Sequence, residues 1–291
     1  MNKLTIIKGN EKYNIYIENY KILLGQQYQM KFDIVRTLKR YIQNIKPSEY
    51  AEENNNIANI LINDKIIKPK NCLYFYVHKY YSISDDFKLT AQSLIFKYLE
   101  VLLNNEELID TVNTINLLFE SLSQEISSIS SVSGHFNTMV SKQLLKLISP
   151  YYIDEEEYKD EYDLTLEEII IFQLKLISYI SQNIKNIQYI ILCIELPRLT
   201  NEIYEYIQRI DNCMILIIID NQSIVCNDIS KYVICENIYI DLANDEEIYN
   251  SICDNHIQLL TLEEGKQYMK DYIYNKDTYN QRFIRKILKS K

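Results

Sequence analysis

The chain has little with which to build tight turns or cross-links. Glycine and proline number four each among 291 residues. Histidine numbers three, and His78, His135 and His256 are dispersed, with no metal-ligand spacing and no Ser or Cys partner recognisable beside them. No catalytic role is read for them. The six cysteines, Cys72, Cys193, Cys213, Cys226, Cys235 and Cys253, form no C-x-x-C pair. They read as buried reduced thiols of a cytoplasmic protein rather than as disulfides or zinc ligands. The longest apolar run, Cys213 to Ile219, is far too short to span a membrane. The Met1–Lys8 start leads into a strand and not into a secretory signal. A cytoplasmic protein with no membrane partner is expected.

What is present is apolar and charged in separate blocks. Hydrophobic residues make up 47% of the chain, enough for a folded core and one or two domains. The abundance of tyrosine, isoleucine and asparagine reads as an AT-rich genome more than as a function. Net charge is −9. Roughly 17 acidic and about 7 basic residues lie between Asp85 and Lys185, so the excess acid belongs to the middle of the chain. The flanks are left free to carry basic surfaces. The end, Lys266 to Lys291, holds roughly eight basic and two acidic residues.

The stretch Tyr20 to Lys46 organises the rest. An apolar run ends at Gly25, a polar loop follows, and Phe32, Ile34, Val35, Leu38, Tyr41 and Ile42 recur at helical spacing. Strand, loop and helix in that order form the frame of a phosphate-binding loop. Gly25-x-x-x-x-Met30-Lys31-Phe32 lies on the G-x-x-x-x-G-K-[ST] template. Met30 stands where glycine lets backbone N–H groups wrap phosphates. Phe32 stands where a hydroxyl would hold Mg²⁺. The loop, Gly25, Met30, Lys31 and Phe32, is therefore a degenerate phosphate loop. Glu195 closes the apolar run Gln188–Ile194 and sits where P-loop ATPases place a metal carboxylate.

Around this stretch, Leu4 to Ile7, Tyr13 to Ile17 and Tyr20 to Leu24 read as a β-meander. A helix from Met30 to Lys46 stops before Pro47, and Ser48 to Asn56 reads as an acidic loop. Strands Asn59–Ile62 and Leu73–Val77 flank a solvated link, Asn63 to Lys70. The period then becomes helical. One helix is expected from a cap at Asp85 or Asp86 to about Leu103, another from Glu106 to Ile126, and a third segment from a break at Ser127–Gly134 to Ile148. Asp154 to Asp163 reads as an acidic linker, and Thr165-x-x-Glu168 as a capping box for a helix to about Ile184. Gln188–Ile194 and Met214–Ile219, the latter ending at Asp220, are buried parallel strands. Thr200 caps a helix to Ile210, Tyr232–Ile234 and Ile238–Ile240 are short strands, and Thr261-x-x-Glu264 opens a last helix toward Tyr274. The fold class is α/β. Residues 1–84 and 186–291 form a discontinuous α/β head and 85–185 an inserted all-helical lobe.

Two further groups of residues carry candidate chemistry. Arg36, Lys39 and Arg40 on the polar side of the first helix, with Lys65, Lys68, Lys70, Arg282, Arg285, Lys286 and Lys289, can contact phosphates without reading sequence. No motif for base edges accompanies them. Asp154, Glu155, Glu156, Glu157, Asp160, Glu161 and Asp163 are hard oxygen ligands that suit Ca²⁺, though without EF-hand spacing. Among them Asp154, Glu157, Asp160, Glu161 and Asp163 are the candidate metal ligands.

Taken in order, these parts resemble the Csn-two family, the accessory proteins of type II-A CRISPR adaptation. The likeness covers most of Met1 to about Asp241. It rests on the first strands with their degenerate loop, the basic Asn63-Asp-Lys segment, and the helical block opening Asp86-Phe-Lys-Leu-Thr-Ala. It continues through the acidic run into Tyr162-Asp-Leu-Thr-Leu-Glu-Glu168, then Leu199-Thr-Asn-Glu202 and Ile234-Cys-Glu-Asn-Ile-Tyr-Ile240. Asn244 to Lys291 extends past the short members and resembles a long variant. The resemblance implies a degenerate P-loop ATPase-like head and a helical leg. It implies a homotetrameric ring that encircles double-stranded DNA and loads at ends during spacer acquisition, without catalysis. It also implies bound calcium and work beside the CRISPR integrase and the type II effector nuclease. Two rival readings remain: a divergent P-loop ATPase using Lys31 and Glu195, and an adaptor bridging other adaptation proteins.

Overall fold

The structure, a computed structural model, describes residues 1–45, 58–129, 133–154, 157–219, 226–255, 258–275 and 277–289, leaving aside the side chains of 127–129, 154, 157, 254, 255 and 258. The expected acidic loop at Ser48–Asn56 and the strand end at Asp220 lie outside the described residues, as does part of the Ser127–Gly134 break; the first helix ends at Ile42, before Asn44 at φ 50°, and not at Lys46.

The chain opens with β1 (Asn2–Lys8), β2 (Glu11–Ile17) and β3 (Tyr20–Leu24), then α1 (Tyr28–Ile42). A hairpin follows, β4 (Ala58–Ile62) and β5 (Lys65–Ile66), joined by Asn63 and Asp64 at φ 50° and 62°. Two consecutive left-handed residues are what a two-residue hairpin turn requires, and Asn and Asp supply them at low cost. The Asn63–Lys70 link is thus in part a β-turn and strand rather than a plain loop. β6 (Cys72–His78) completes the first segment.

The middle segment is helical, as its period predicts, but cut differently. Ser82 caps α2 (Ile83–Asp86), and Leu89 at φ 48° breaks the helical path. α3 (Leu94–Leu103) starts afresh under Ser93. Asp86 does act as a cap, but on that second helix, accepting from Leu94 N at 3.2 Å and Ile95 N at 2.7 Å. One continuous helix from Asp85 is therefore corrected to two. α4 (Glu106–Ile129) is the long helix, and the third expected segment reduces to α5 (Ser141–Leu144) and a 3₁₀ turn. The acidic run folds into a small hairpin, β7 (Ile153–Asp154) and β8 (Glu157–Tyr158), and a 3₁₀ turn, Glu161–Asp163. α6 (Leu166–Asn183) carries the capping box: Glu168 N donates to Thr165 Oγ1 at 3.2 Å and Thr165 N to Glu168 Oε2 at 2.7 Å. It buries Ile170, Ile171, Leu174, Ile177 and Ile180, a stripe at helical spacing, and packs beside α3 through Tyr98 and Tyr179, rings 5.0 Å apart.

The last segment returns to alternating strand and helix. It contains β9 (Tyr189–Leu196), α7 (Asn201–Gln208), β10 (Cys213–Ile219), β11 (Tyr232–Cys235) and β12 (Tyr239–Asp241). Then come α8 (Asp245–Ile248), β13 (Asp254–Asn255), β14 (Gln258–Leu259), α9 (Leu262–Ile273) and α10 (Tyr279–Lys289). α10 was not expected. Its Phe283, Ile284, Ile287 and Leu288 are buried at helical spacing while Arg282, Arg285, Lys286 and Lys289 face water.

Two compact units result, Met1–Lys79 with Asn186–Lys291, and Tyr80–Lys185. The first holds two sheets. β2-β1-β4-β5 is antiparallel. The larger sheet has the order β12-β11-β3-β10-β9-β6, with β11, β3, β10, β9 and β6 parallel and β12 antiparallel at one edge. The β-meander is therefore corrected: β1 and β2 pair, but β3 leaves them for the centre of the other sheet. All five β3 residues are buried, the pattern of a strand covered on both faces, whereas β2 alternates toward its core. α1 lies between the sheets. Its Ile34, Leu38 and Ile42 share one core with Leu4, Ile6, Ile15, Ile60 and Ile62 on one side and Leu23, Ile191, Leu216 and Val233 on the other. The sheets are also tied by Asp241, which is fully buried, accepts from Tyr16 N at 2.7 Å and pairs with the buried Lys21 ammonium. Among the described residues no helix is long and apolar enough to cross a membrane.

Candidate functional site

β3 lies between two parallel neighbours, β10 and β11, and the chain reaches both only late. In open α/β sheets a reversal of strand order of this kind leaves a crevice at the carboxyl ends of the strands, where ligands bind. Gly25, at the carboxyl end of β3, opens that loop. It sits at φ 126°, and a Cβ there would lie 2.1 Å from the Cys235 carbonyl oxygen. Glycine is required because the loop lies flat against the backbone of β11.

The first backbone amides of the loop are already engaged. Gln26 N donates to Glu236 Oε1 at 3.1 Å, and Gln27 N to the Cys235 carbonyl at 3.0 Å. Glu236 comes from the turn after β11, is only 6% exposed, and also accepts from Tyr272 OH of α9 at 2.8 Å. A carboxylate of the chain thus stands at the amino end of α1, where the helix dipole favours an anion. Lys31 is buried, and its ammonium donates to the Ile219 carbonyl at the end of β10, 3.0 Å away, with the Tyr28 ring centroid at 5.5 Å. Met30 packs half-buried against the core. Phe32 points out, 52% exposed. Asp33, one residue on, is held by Lys8 at 2.6 Å and Gln29 at 3.1 Å.

Glu195 lies exposed near the end of β9, opposite His78 of β6 and beside Ile218 of β10. Tyr76 OH donates to its carboxylate, and the Tyr76 and His78 rings lie 5.0 Å apart. Burial pushes the His78 imidazole below its usual range. The Glu195 carboxylate opposes that shift and Lys39 reinforces it. All six cysteines are buried and unbridged, and burial pushes the Cys193 and Cys235 thiols up to about 12.

The basic residues divide into three places on this unit. Arg36 and Lys39 are exposed on α1, with Arg40 partly so. Lys65, Lys68 and Lys70 are exposed on the hairpin and the turn that follows. Tyr41 OH donates to the Ile67 carbonyl at 2.5 Å and so brings that turn against the last turns of α1. Arg282, Arg285, Lys286 and Lys289 line the outer face of α10. Asp277 already meets Arg282, 2.9 Å from Nη2, and Arg285 donates to Asn275 at 2.9 Å. The α10 end reaches the Glu236 turn, where Asn237 Nδ2 donates to the Lys289 carbonyl at 3.0 Å.

The acidic run belongs to the other unit. Glu155 and Glu156, and the side chains of Asp154 and Glu157, lie outside the description. Asp160 accepts from Tyr162 N at 3.0 Å as a cap. Glu161 accepts from Ser82 Oγ at 3.2 Å and Ser84 N at 2.9 Å, closing the start of α2. Asp163 ends the 3₁₀ turn and is exposed. Among the described residues no three His, Cys, Asp or Glu side chains come together as a metal site.

Sequence reasoning missed Glu236 and Tyr272. Glu236 is separated from Gln26 by 210 residues and from Tyr272 by 36, so no local spacing marks the trio.

No family model matches the chain, and no curated protein sequence does. Among solved structures, RecF-ATPrS, a recombination mediator protein of the RecFOR pathway, aligns with 80% of this chain and 95% of its own at a TM-score of 0.37 and 10% identity, too distant to carry an argument. The α/β fold as a whole is similar to that of Stu0660 of Streptococcus thermophilus, with a TM-score of 0.65 and 15% identity over 99% of this chain and 93% of that one.

Proposed function

We propose that the chain is a non-catalytic, sequence-independent clamp for double-stranded DNA ends, of the Csn-two kind, acting in CRISPR spacer acquisition in the cytoplasm. It works as a homotetrameric ring beside the integrase and the effector nuclease. The observation that carries this reading is the loop between β3 and α1. Its strand–loop–helix frame resembles that of a P-loop ATPase head, but the Glu236 carboxylate already accepts from Gln26 N and Phe32 stands where that template has a metal hydroxyl. A frame of this kind freed from nucleotide chemistry is open to another role, and the exposed cations beside it suit a polyanion. Arg36, Lys39, Lys65, Lys68 and Lys70 face water on one unit, and the excess acid of the chain is carried elsewhere. Phosphate contacts of this type give affinity without reading bases.

The test compares linear DNA with covalently closed circular DNA of the same sequence. A ring requires an end, so the linear form binds and the closed form does not. Affinity falls with salt at a slope near −0.9 per phosphate neutralised, and replacing Arg36, Lys39 and Arg40 by Ala flattens that slope for every sequence alike. Equal affinity and equal dissociation from both DNA forms would sink the ring.

The rival, ATP hydrolysis by Lys31 and Glu195, meets two obstacles: the carboxylate at Gln26 N and the Lys31 ammonium turned to a carbonyl. Mg²⁺-dependent turnover that disappears in Lys31→Ala would establish it. Calcium enters the proposed reading through the resemblance and through the hard oxygen ligands of the Asp154–Asp163 run. Its binding to metal-stripped protein raises the melting temperature according to ln(1 + [L]/Kd), and a melting curve indifferent to chelator removes it from the reading.

A further inference from the structure

α1 turns Tyr28, Phe32, Arg36 and Lys39 toward water. At helical pitch these four positions fall within an arc of about 80°. The opposite side, Ile34, Leu38 and Ile42, is buried. Two of the four outward groups are aromatic rings left open, Tyr28 at 60% and Phe32 at 52% exposure. Each has a cation over its face: the Arg36 guanidinium is 5.4 Å from the Phe32 centroid, and the Lys31 ammonium 5.5 Å from that of Tyr28. The one carboxylate of α1, Asp33, is buried against Lys8. The stripe therefore offers flat apolar faces and positive charge with no exposed acid of its own helix among them.

Flat π faces linked by negative charge complement such a stripe, and unpaired nucleotides have that chemistry. A paired duplex keeps its base faces stacked and offers the rings nothing. Stacking on aromatic side chains is tolerant of sequence, because every base has a π face. A guanidinium on a ring adds to it and meets the backbone.

We propose that the Tyr28–Phe32–Arg36–Lys39 stripe of α1 binds unpaired nucleotides of DNA, with Tyr28 and Phe32 stacking on bases and Arg36 and Lys39 meeting phosphates. This rests on the DNA-end reading and names the part of the end that is held, the overhang or frayed strand. A second copy of the chain is the competing occupant of the stripe.

The experiment uses the full chain and one duplex in two forms, blunt and with a thymidine overhang carrying a 2-aminopurine. The overhang tightens binding about thirtyfold, what two stacked bases supply at the low end of their range, and the probe's fluorescence changes on binding. The Tyr28→Ala/Phe32→Ala double variant loses that gain and keeps the blunt-end affinity, whereas Tyr28→Phe/Phe32→Tyr retains the gain. Both side chains are exposed, so the variants fold, which circular dichroism checks. A blunt duplex that binds while the overhang adds nothing, or a gain that survives the double variant, overturns the inference and leaves the DNA-end reading standing. No binding to any DNA form removes both. A double variant that changes oligomer mass by light scattering while DNA binding is unaltered assigns the stripe to the second copy instead and also overturns the inference.

Discussion

Removing the Glu236 carboxylate tests whether it locks the loop at the start of α1. In the folded chain this group accepts from Gln26 N at 3.1 Å and Tyr272 OH at 2.8 Å and is nearly closed to water. Glu236→Ala leaves the buried Tyr272 hydroxyl without this acceptor and frees the Gln26 amide of the exposed loop. One unsatisfied buried donor costs about 1–3 kcal/mol, so the α/β unit loses roughly 2 kcal/mol. For a domain of this size that lowers its melting temperature by roughly 4–8 °C. Glu236→Gln keeps an acceptor oxygen, and its loss is about half as large. Thermal unfolding followed by circular dichroism measures both, and hydrogen exchange at the Gln26 amide reports the contact directly. A Glu236/Tyr272 double-mutant cycle, with Phe at position 272, returns a coupling of about 0.5–3 kcal/mol if the two act together. An Ala variant that melts with the wild type, with Gln26 still protected, would refute the carboxylate's part in the lock.

Three other substitutions have defined outcomes. Gly25→Ala places a Cβ against the Cys235 carbonyl at a left-handed φ and costs roughly 3–5 kcal/mol, read as a fall in the urea midpoint; an unchanged midpoint contradicts the contact. At Asp33 burial opposes ionisation, but the Lys8 ammonium, the Gln29 amide and Arg36 together hold its pKa below the ordinary 3.8. Its stabilisation is therefore present above that value and lost as pH falls through the lower folded one. Asp33→Asn weakens the fold by about 1–2 kcal/mol at pH 7, and the difference from wild type disappears in acid; a gap constant with pH would show that charge is not its source. Thr165→Ala lowers stability by about 1 kcal/mol through the lost α6 cap, and Thr165→Ser restores most of it. Equal loss in both variants would assign the effect to packing.

Where a structural cause is local, the sequence carries it. The Thr165 and Thr261 boxes are each made within three residues, and both helices start where those residues place them. β9 and β10 show as continuous apolar runs because both their faces are covered. β3 has the same kind of run, yet proximity to β2 invites pairing with it. Only the distant β10 and β11 decide otherwise. The break at Leu89 follows no propensity rule, since a left-handed leucine is fixed by its surroundings. α10 is legible in the spacing of Phe283, Ile284, Ile287 and Leu288, but the cations interleaved with them mask the apolar stripe. At the candidate loop the wrong residues at positions 30 and 32 are visible in the sequence. The Glu236 carboxylate at Gln26 N is not, because it arrives from the far end of the chain.

The position of β3 also sets a timetable for synthesis. Its hydrogen-bonding neighbours leave the ribosome roughly 190 residues after it does, a wait of about 10–40 s at ordinary translation rates. Throughout that interval the nascent Ile22, Leu23 and Leu24 have both strand edges open, the condition under which chains misassociate. Contacts of such long range also slow the final closure of the sheet. The helices between Tyr80 and Lys185 emerge meanwhile and are joined mostly by nearer contacts, so they are able to fold first. A chaperone that shields the first strands until β11 has appeared would act on this step, and yield in the cell would depend on it more than on the stability of the finished molecule.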